Sequence, residues 1–238
     1  MSNEKVFLQK KINKGMALLD KNNFSEATKI FEYLKKKKQT EIIALLFLGI
    51  IEIKKKNHPS AKNIFYNILN IEPNNEDANL NLALVFFDEK NYDKTLLYLN
   101  KVIEINKNNL TAIYHKGLVY FFIKDLKLAI KFFEICINLN KNFIYSYLNL
   151  GHIYLRSKQF KKALDYYKKV LEIEPNHNTS KFNISLCYFG LNDFHNGYKY
   201  YEFRKEKMQP KEKTLEVQNK YKCSEWLGES LNGKKILI

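Results

Sequence analysis

Few side chains in this sequence could do covalent or metal chemistry, and their spacing argues against most of it. His115 and His152 are possible proton carriers or ligands, but no carboxylate or thiol is placed to complete a metal site or a relay with them. Cys136, Cys187 and Cys223 form no CxxC or metal-ligand spacing, and their odd count argues against a disulfide framework. They read as reduced, structural thiols. The GESLNGK run at 228–234 has the outline of a phosphate-binding loop, yet Lys235 stands where a Ser or Thr must hold magnesium, and no strand precedes it. No catalytic residue, metal or cofactor is expected. The better candidates are amides. Asn13, Phe47, Asn81, His115, Asn149 and Asn183 follow one another at a constant step of 34 residues. Asn offers both a donor and an acceptor, so a column of it can pair with the N–H and C=O of an extended peptide whatever that peptide's side chains are. Asn13, Asn81, His115, Asn149 and Asn183, with His152 close by in the same phase, are the candidate peptide-binding residues.

Such a column needs a periodic element behind it, and residues 144–177 show what that element is. Two amphipathic segments, Tyr145 to Arg156 and Lys161 to Glu174, flank a short polar turn, and Pro175 with Asn176 closes the second. This is a helical hairpin. A hairpin so small cannot bury its own apolar faces and implies stacked neighbours. Stepping by 34 finds them. Gly151 lands on Gly117, Ala83, Gly49 and Gly15 going back and on Ser185 going forward, while Ala163 lands on Ala129, Thr95, Ala61, Ala27 and Gly197. Tyr167 falls on Phe133, Leu99, Phe65, Phe31 and Tyr201, and Phe160 on Leu126, Tyr92, His58, Phe24 and Phe194. Four columns keep register without an insertion, giving copies at 8–41, 42–75, 76–109, 110–143, 144–177 and 178–211. A lead-in at 1–7 precedes them and a tail at 212–238 follows.

This period, with small residues at the eighth and twentieth positions and Pro73 and Pro175 at the thirty-second, resembles the tetratricopeptide repeat. The resemblance implies an all-α protein, a right-handed α-solenoid of six helix-turn-helix repeats whose first helices form a concave, ligand-binding face. On that face the candidate amides stand at position six, and His152 at position nine. Asn149-Leu150-Gly151, and less closely Asn81-Leu82-Ala83, Asn183-Ile184-Ser185 and Asn13-Lys14-Gly15, are similar to the asparagine ladder in the repeat arm of O-GlcNAc transferases. Phe47 and His115 interrupt it. Columns five and nine are largely apolar, which disfavours the kind of repeat that clamps the acidic C-termini of chaperones.

Composition fits a helical chain. The 238 residues are 45% hydrophobic with only 8 Gly and 4 Pro, too apolar for disorder. The formal charge of +15 raises the possibility of a nucleic-acid binder. The lysines are dispersed, however, and runs such as Lys35 to Lys38 and Lys54 to Lys56 sit at helix ends, where cations suit the macrodipole. Lysines in the first twenty residues interrupt any signal-peptide core. The longest apolar run, Ile42 to Ile53, is broken by Glu52 and falls short of the roughly 20 residues of a membrane span. A cytoplasmic location is expected.

The C-terminal residues Gly197, Tyr201, Glu202, Arg204, Trp226, Gly228, Leu231, Gly233 and Lys234 are similar to the junction of bacterial repeat proteins that continue into a glycosyltransferase-like domain; Tyr198 and Phe203 replace that family's tryptophans. Lys234 to Ile238 reads as the opening of a strand without ladder partners, so the natural protein is expected to continue past Ile238. The sequence therefore supports a peptide- or protein-binding scaffold, the recognition arm of a larger glycosyltransferase-like protein. A free-standing adaptor for complex assembly is the alternative, and a basic nucleic-acid-binding solenoid a weaker one.

Overall fold

The computed structural model describes residues 3–204. Within them the chain is helical throughout: α1 Asn3–Asp20, α2 Phe24–Lys35, α3 Glu41–Lys54, α4 His58–Ile71, α5 Glu76–Asp88, α6 Tyr92–Ile105, α7 Leu110–Phe122, α8 Leu126–Leu139, α9 Ile144–Arg156, α10 Phe160–Ile173, α11 Asn178–Gly190 and α12 Phe194–Tyr201, with a 3-10 turn at Glu202–Arg204. The fold is all-α, a succession of helical hairpins. Helices α1 to α8 form one compact unit and α9 to α12 another, divided between Phe143 and Ile144. In each, consecutive helices pack against each other. The segment 205–238, with Trp226 and the end of the sixth repeat register, lies outside the described residues.

Four of the hairpins are locked by the same contact. A Cβ built on Gly49 would come within 2.5 Å of the Phe65 ring, on Gly15 within 2.6 Å of Phe31, on Gly117 within 2.7 Å of Phe133, and on Gly151 within 2.6 Å of Tyr167. The first helix must lack a side chain at position eight because the ring at position 24 of the second helix occupies that space. The third repeat shows the same constraint from the other side. Its residue at position 24 is Leu99, and the methyl of Ala83 fits beside it in a fully buried cluster with Val102 and Ala112. The small residues at position 20 are all buried, from Ala27 to Gly197, and Thr95 satisfies its hydroxyl by donating to the Asn91 carbonyl at 2.8 Å.

The turns inside the hairpins repeat with equal regularity. Asn22, Lys56, Lys90, Lys124, Lys158 and Asn192 all adopt positive φ, between 57° and 66°, the left-handed conformation that ends a helix. The next residue closes the cap: the backbone N–H of Asn23, Asn57, Asn91, Gln159 and Asp193 donates to the carbonyl five residues back, each at 2.9 Å. That residue also starts the second helix, since the side chains of Asn23, Asn57, Asn91, Asp125 and Asp193 accept from the N–H three residues on. Gln159 is a methylene too long and makes no cap bond. At the other end of α10, Glu174 leaves the helix with φ −127° and ψ 87°, the extended backbone expected before Pro175.

The packing contact predicts a thermodynamic coupling. Gly117→Ala should destabilise the protein by about 1–3 kcal/mol through overpacking on Phe133, and Phe133→Leu should cost about 1–3 kcal/mol by leaving space unfilled. Together they recreate the Ala83–Leu99 pair, so urea denaturation of the double variant should show a loss well below the sum of the two.

Candidate functional site

The face of the first helices that carries positions two, six, nine and thirteen is the candidate site. In the first unit it is built by α1, α3, α5 and α7. Asn81 is half-buried, and its Nδ2 donates to the Asp77 carbonyl one turn back at 2.8 Å. His115 is arranged in the same way, its Nδ1 lying 2.8 Å from the Thr111 carbonyl. A carbonyl only accepts, so Nδ1 carries the proton and Nε2 keeps a lone pair. The Phe87 ring meets the imidazole edge-on at 5.5 Å. Asn13 is exposed, and its Oδ1 accepts from Gln9 Nε2 at 3.0 Å. At Phe47 the column turns apolar, and the ring stacks on Phe31 at 4.8 Å.

Between α3 and α5 this face sinks into a groove of about 540 Å³. Ile43, Leu46, Phe47 and Ile50 form its apolar floor, and Asp77 and Asn81 its wall. The four floor residues are half-buried, because their inner atoms complete the clusters on either side of α3 while their outer atoms remain open.

In the second unit the face is built by α9 and α11. Asn149 is half-buried and repeats the arrangement of Asn81, its Nδ2 donating to the Tyr145 carbonyl at 2.8 Å. Asn183 differs: it is 4% exposed, with its Nδ2 3.2 Å from His152 Nε2. Because Asn Nδ2 is a donor, Nε2 of His152 is the acceptor in that pair. The His152 ring also stands edge-on to Tyr167 at 5.9 Å. Asn183 and His152 therefore brace α11 against α9. Their identities were apparent in the sequence; the pairing was not, because it links positions six and nine across two repeats.

The described cysteines are structural. Cys136 and Cys187 are buried, and burial pushes the Cys187 thiol up to about 12, so it stays protonated and unreactive near neutral pH. Among the described residues no three His, Cys, Asp or Glu side chains cluster as a metal site would require. Nor is any described helix long and apolar enough to cross a membrane.

Burial holds the His115 pKa below its ordinary value of 6.5, against the opposing pull of the Thr111 carbonyl and the Asp88 carboxylate. The unfolded chain then takes up a proton near that value before the folded one does. The stability due to His115 is fully present above about 6.5 and is lost as the pH falls below it. Thermal melts from pH 7.5 to 5 should show a smaller decline in Tm for His115→Gln, which keeps a polar side chain but cannot titrate.

The comparisons with known proteins agree with this geometry. The tetratricopeptide-repeat profiles match residues 76–109, 110–143 and 144–177. No curated protein sequence matches. Among solved structures, PilF of Pseudomonas aeruginosa is 15% identical with a TM-score of 0.77, over 92% of this chain and 100% of that one. A crystal structure of MamA is 25% identical with a TM-score of 0.61, over 71% of this chain and 96% of that one. YrrB, described as a TPR protein with an unusual peptide-binding site, is 15% identical with a TM-score of 0.60, over 79% and 97% of the two chains. The helical hairpins, their locking columns and these matches show that the chain carries tetratricopeptide repeats.

Proposed function

We propose that this protein is a scaffold that binds an extended segment of another protein along the face of its first helices. The observation that carries the reading is the shared tether of Asn81, His115 and Asn149, each held by a hydrogen bond to the carbonyl one turn back. An amide fixed in this way no longer pays rotamer entropy when a ligand arrives. Asn81 keeps an oxygen acceptor and a second N–H, and His115 keeps a nitrogen acceptor, which are the groups a peptide backbone needs opposite it. The unusual peptide-binding site of YrrB, a protein of similar fold, is consistent with the same use here.

In its finer form, the chain is the recognition arm of a glycosyltransferase-like protein and performs no catalysis of its own. That reading rests on the residues at 197–204 and 226–234 that resemble such a junction, and a coding sequence that continues past Ile238 into a nucleotide-sugar-binding domain would support it. A stop codon there would favour the free-standing adaptor. A cytoplasmic setting suits either, given the buried thiols of Cys136 and Cys187.

The binding reading is tested with dodecapeptides selected on the protein from a random phage-displayed library. Asn81→Ala and Asn149→Ala should each weaken binding by about 0.5–1.5 kcal/mol where the peptide reaches that residue, with little dependence on peptide sequence. Asn70→Ala, on the exposed surface of α4, should have no effect. Asn183→Ala should lower Tm, because that side chain is buried against His152. Isotherms unchanged by both Asn81→Ala and Asn149→Ala would contradict the proposal.

A further inference from the structure

The charge on the candidate face is opposite to that of the chain. The protein carries +15, yet positions two, six, nine and thirteen of α1, α3, α5 and α7 hold three carboxylates, Asp20, Asp77 and Asp88, against one cation, Lys54. The lysines lie elsewhere, as on the exposed surfaces of α6 and α8 at Lys94, Lys101, Lys127 and Lys131. Several carboxylates away from this face are already neutralised: Glu26 by Lys29, Glu52 by Lys55 and Glu89 by Lys62. Asp77 is different. It is exposed on the wall of the α3–α5 groove, and its carboxylate has no ion pair or hydrogen bond among the described residues. Glu72, at the same end, is bonded among the described residues only to the neutral Asn75 amide at 2.8 Å. Lys38 stands among the lining residues contributed by the turn before α3.

We infer that the α3–α5 groove selects segments in which a large apolar side chain stands next to a lysine or arginine. The inference rests on the proposed binding face and specifies what that face takes. The apolar side chain lies on Ile43, Leu46, Phe47 and Ile50, where each buried methylene gains hydrophobic free energy. Asn81 holds the backbone beside it. The neighbouring cation meets Asp77 and Glu72, two acceptors whose charge no lysine among the described residues has taken. Lys38 repels a second cation at its own position, so the charges also favour one direction of the bound segment. An acidic segment would meet Asp77 without compensation, which is the exclusion that like charges provide.

A random dodecapeptide library displayed on phage, panned on the whole chain and sequenced, tests this. The expected result is enrichment of segments with Leu, Ile, Phe or Met adjacent to Lys or Arg. Asp77→Lys should abolish the basic preference and weaken individual selected peptides about two- to fivefold, the size of an exposed ion pair. Asp77→Asn should give a smaller loss in the same direction and perturbs the start of α5 less. Far-UV circular dichroism and Tm confirm that both variants are folded. Enriched segments without a basic neighbour, or a basic preference that survives Asp77→Lys, would overturn the inference while leaving the binding face in place if Asn81→Ala still weakens them. No enrichment over an unrelated helical protein would overturn both.

Discussion

The contact between a missing side chain on one helix and a ring on the next sets the spacing of four hairpins in this protein. Where position eight is glycine, the ring of Phe31, Phe65, Phe133 or Tyr167 lies directly over its Cα. Where the second helix offers only Leu99, the first can carry Ala83. The exchange conserves volume, as a close-packed core demands. It also has a functional consequence. Because these contacts fix how the first helix rests on the second, they decide which of its faces is sealed and which is left outside, and in α1, α3, α5 and α7 positions two, six, nine and thirteen are on the open side.

The turns complete that geometry economically. One residue, such as Asn91, ends α5 through its backbone N–H and begins α6 through its side chain, so the two helices cannot slide relative to each other without breaking both bonds. The preceding residue is left-handed in every turn, and four of the six are lysines. Lysine has no intrinsic preference for that conformation over glycine. It is tolerated because the cap on either side determines the backbone, and the long side chain extends into solvent.

Much of this could be read in the sequence because it is periodic. The 34-residue step identifies the small and aromatic columns, and the helical segments expected at Tyr145 to Arg156 and Lys161 to Glu174 begin and end within one residue of α9 and α10. The candidate site was less legible. Its residue types and column were visible, but a column does not reveal how a side chain spends its hydrogen bonds. Asn149 and Asn183 look equivalent in sequence; one is tethered to its own helix, and the other is buried against His152. The lysine-rich composition concealed a face where carboxylates outnumber cations, because net charge sums over all surfaces and a ligand meets only one. Phe47 seemed an interruption of the amide column, yet it forms part of the floor of a groove. The glycosyltransferase-like junction extends into residues 205–238, which lie outside the described part, and it keeps only the support that the resemblance gave it.

The central claim is that the face of the first helices, and not that of the second, meets the partner. Site-specific photocrosslinking in cells tests it most directly, with p-benzoylphenylalanine placed in turn at Asn81 and Asn149 on the first helices and at Asn70 and Lys168 on the second. Crosslinked bands to the same partner from Asn81 or Asn149, absent from Asn70 and Lys168, are the predicted result. Crosslinks confined to Asn70 and Lys168 would place binding on the opposite face and contradict it.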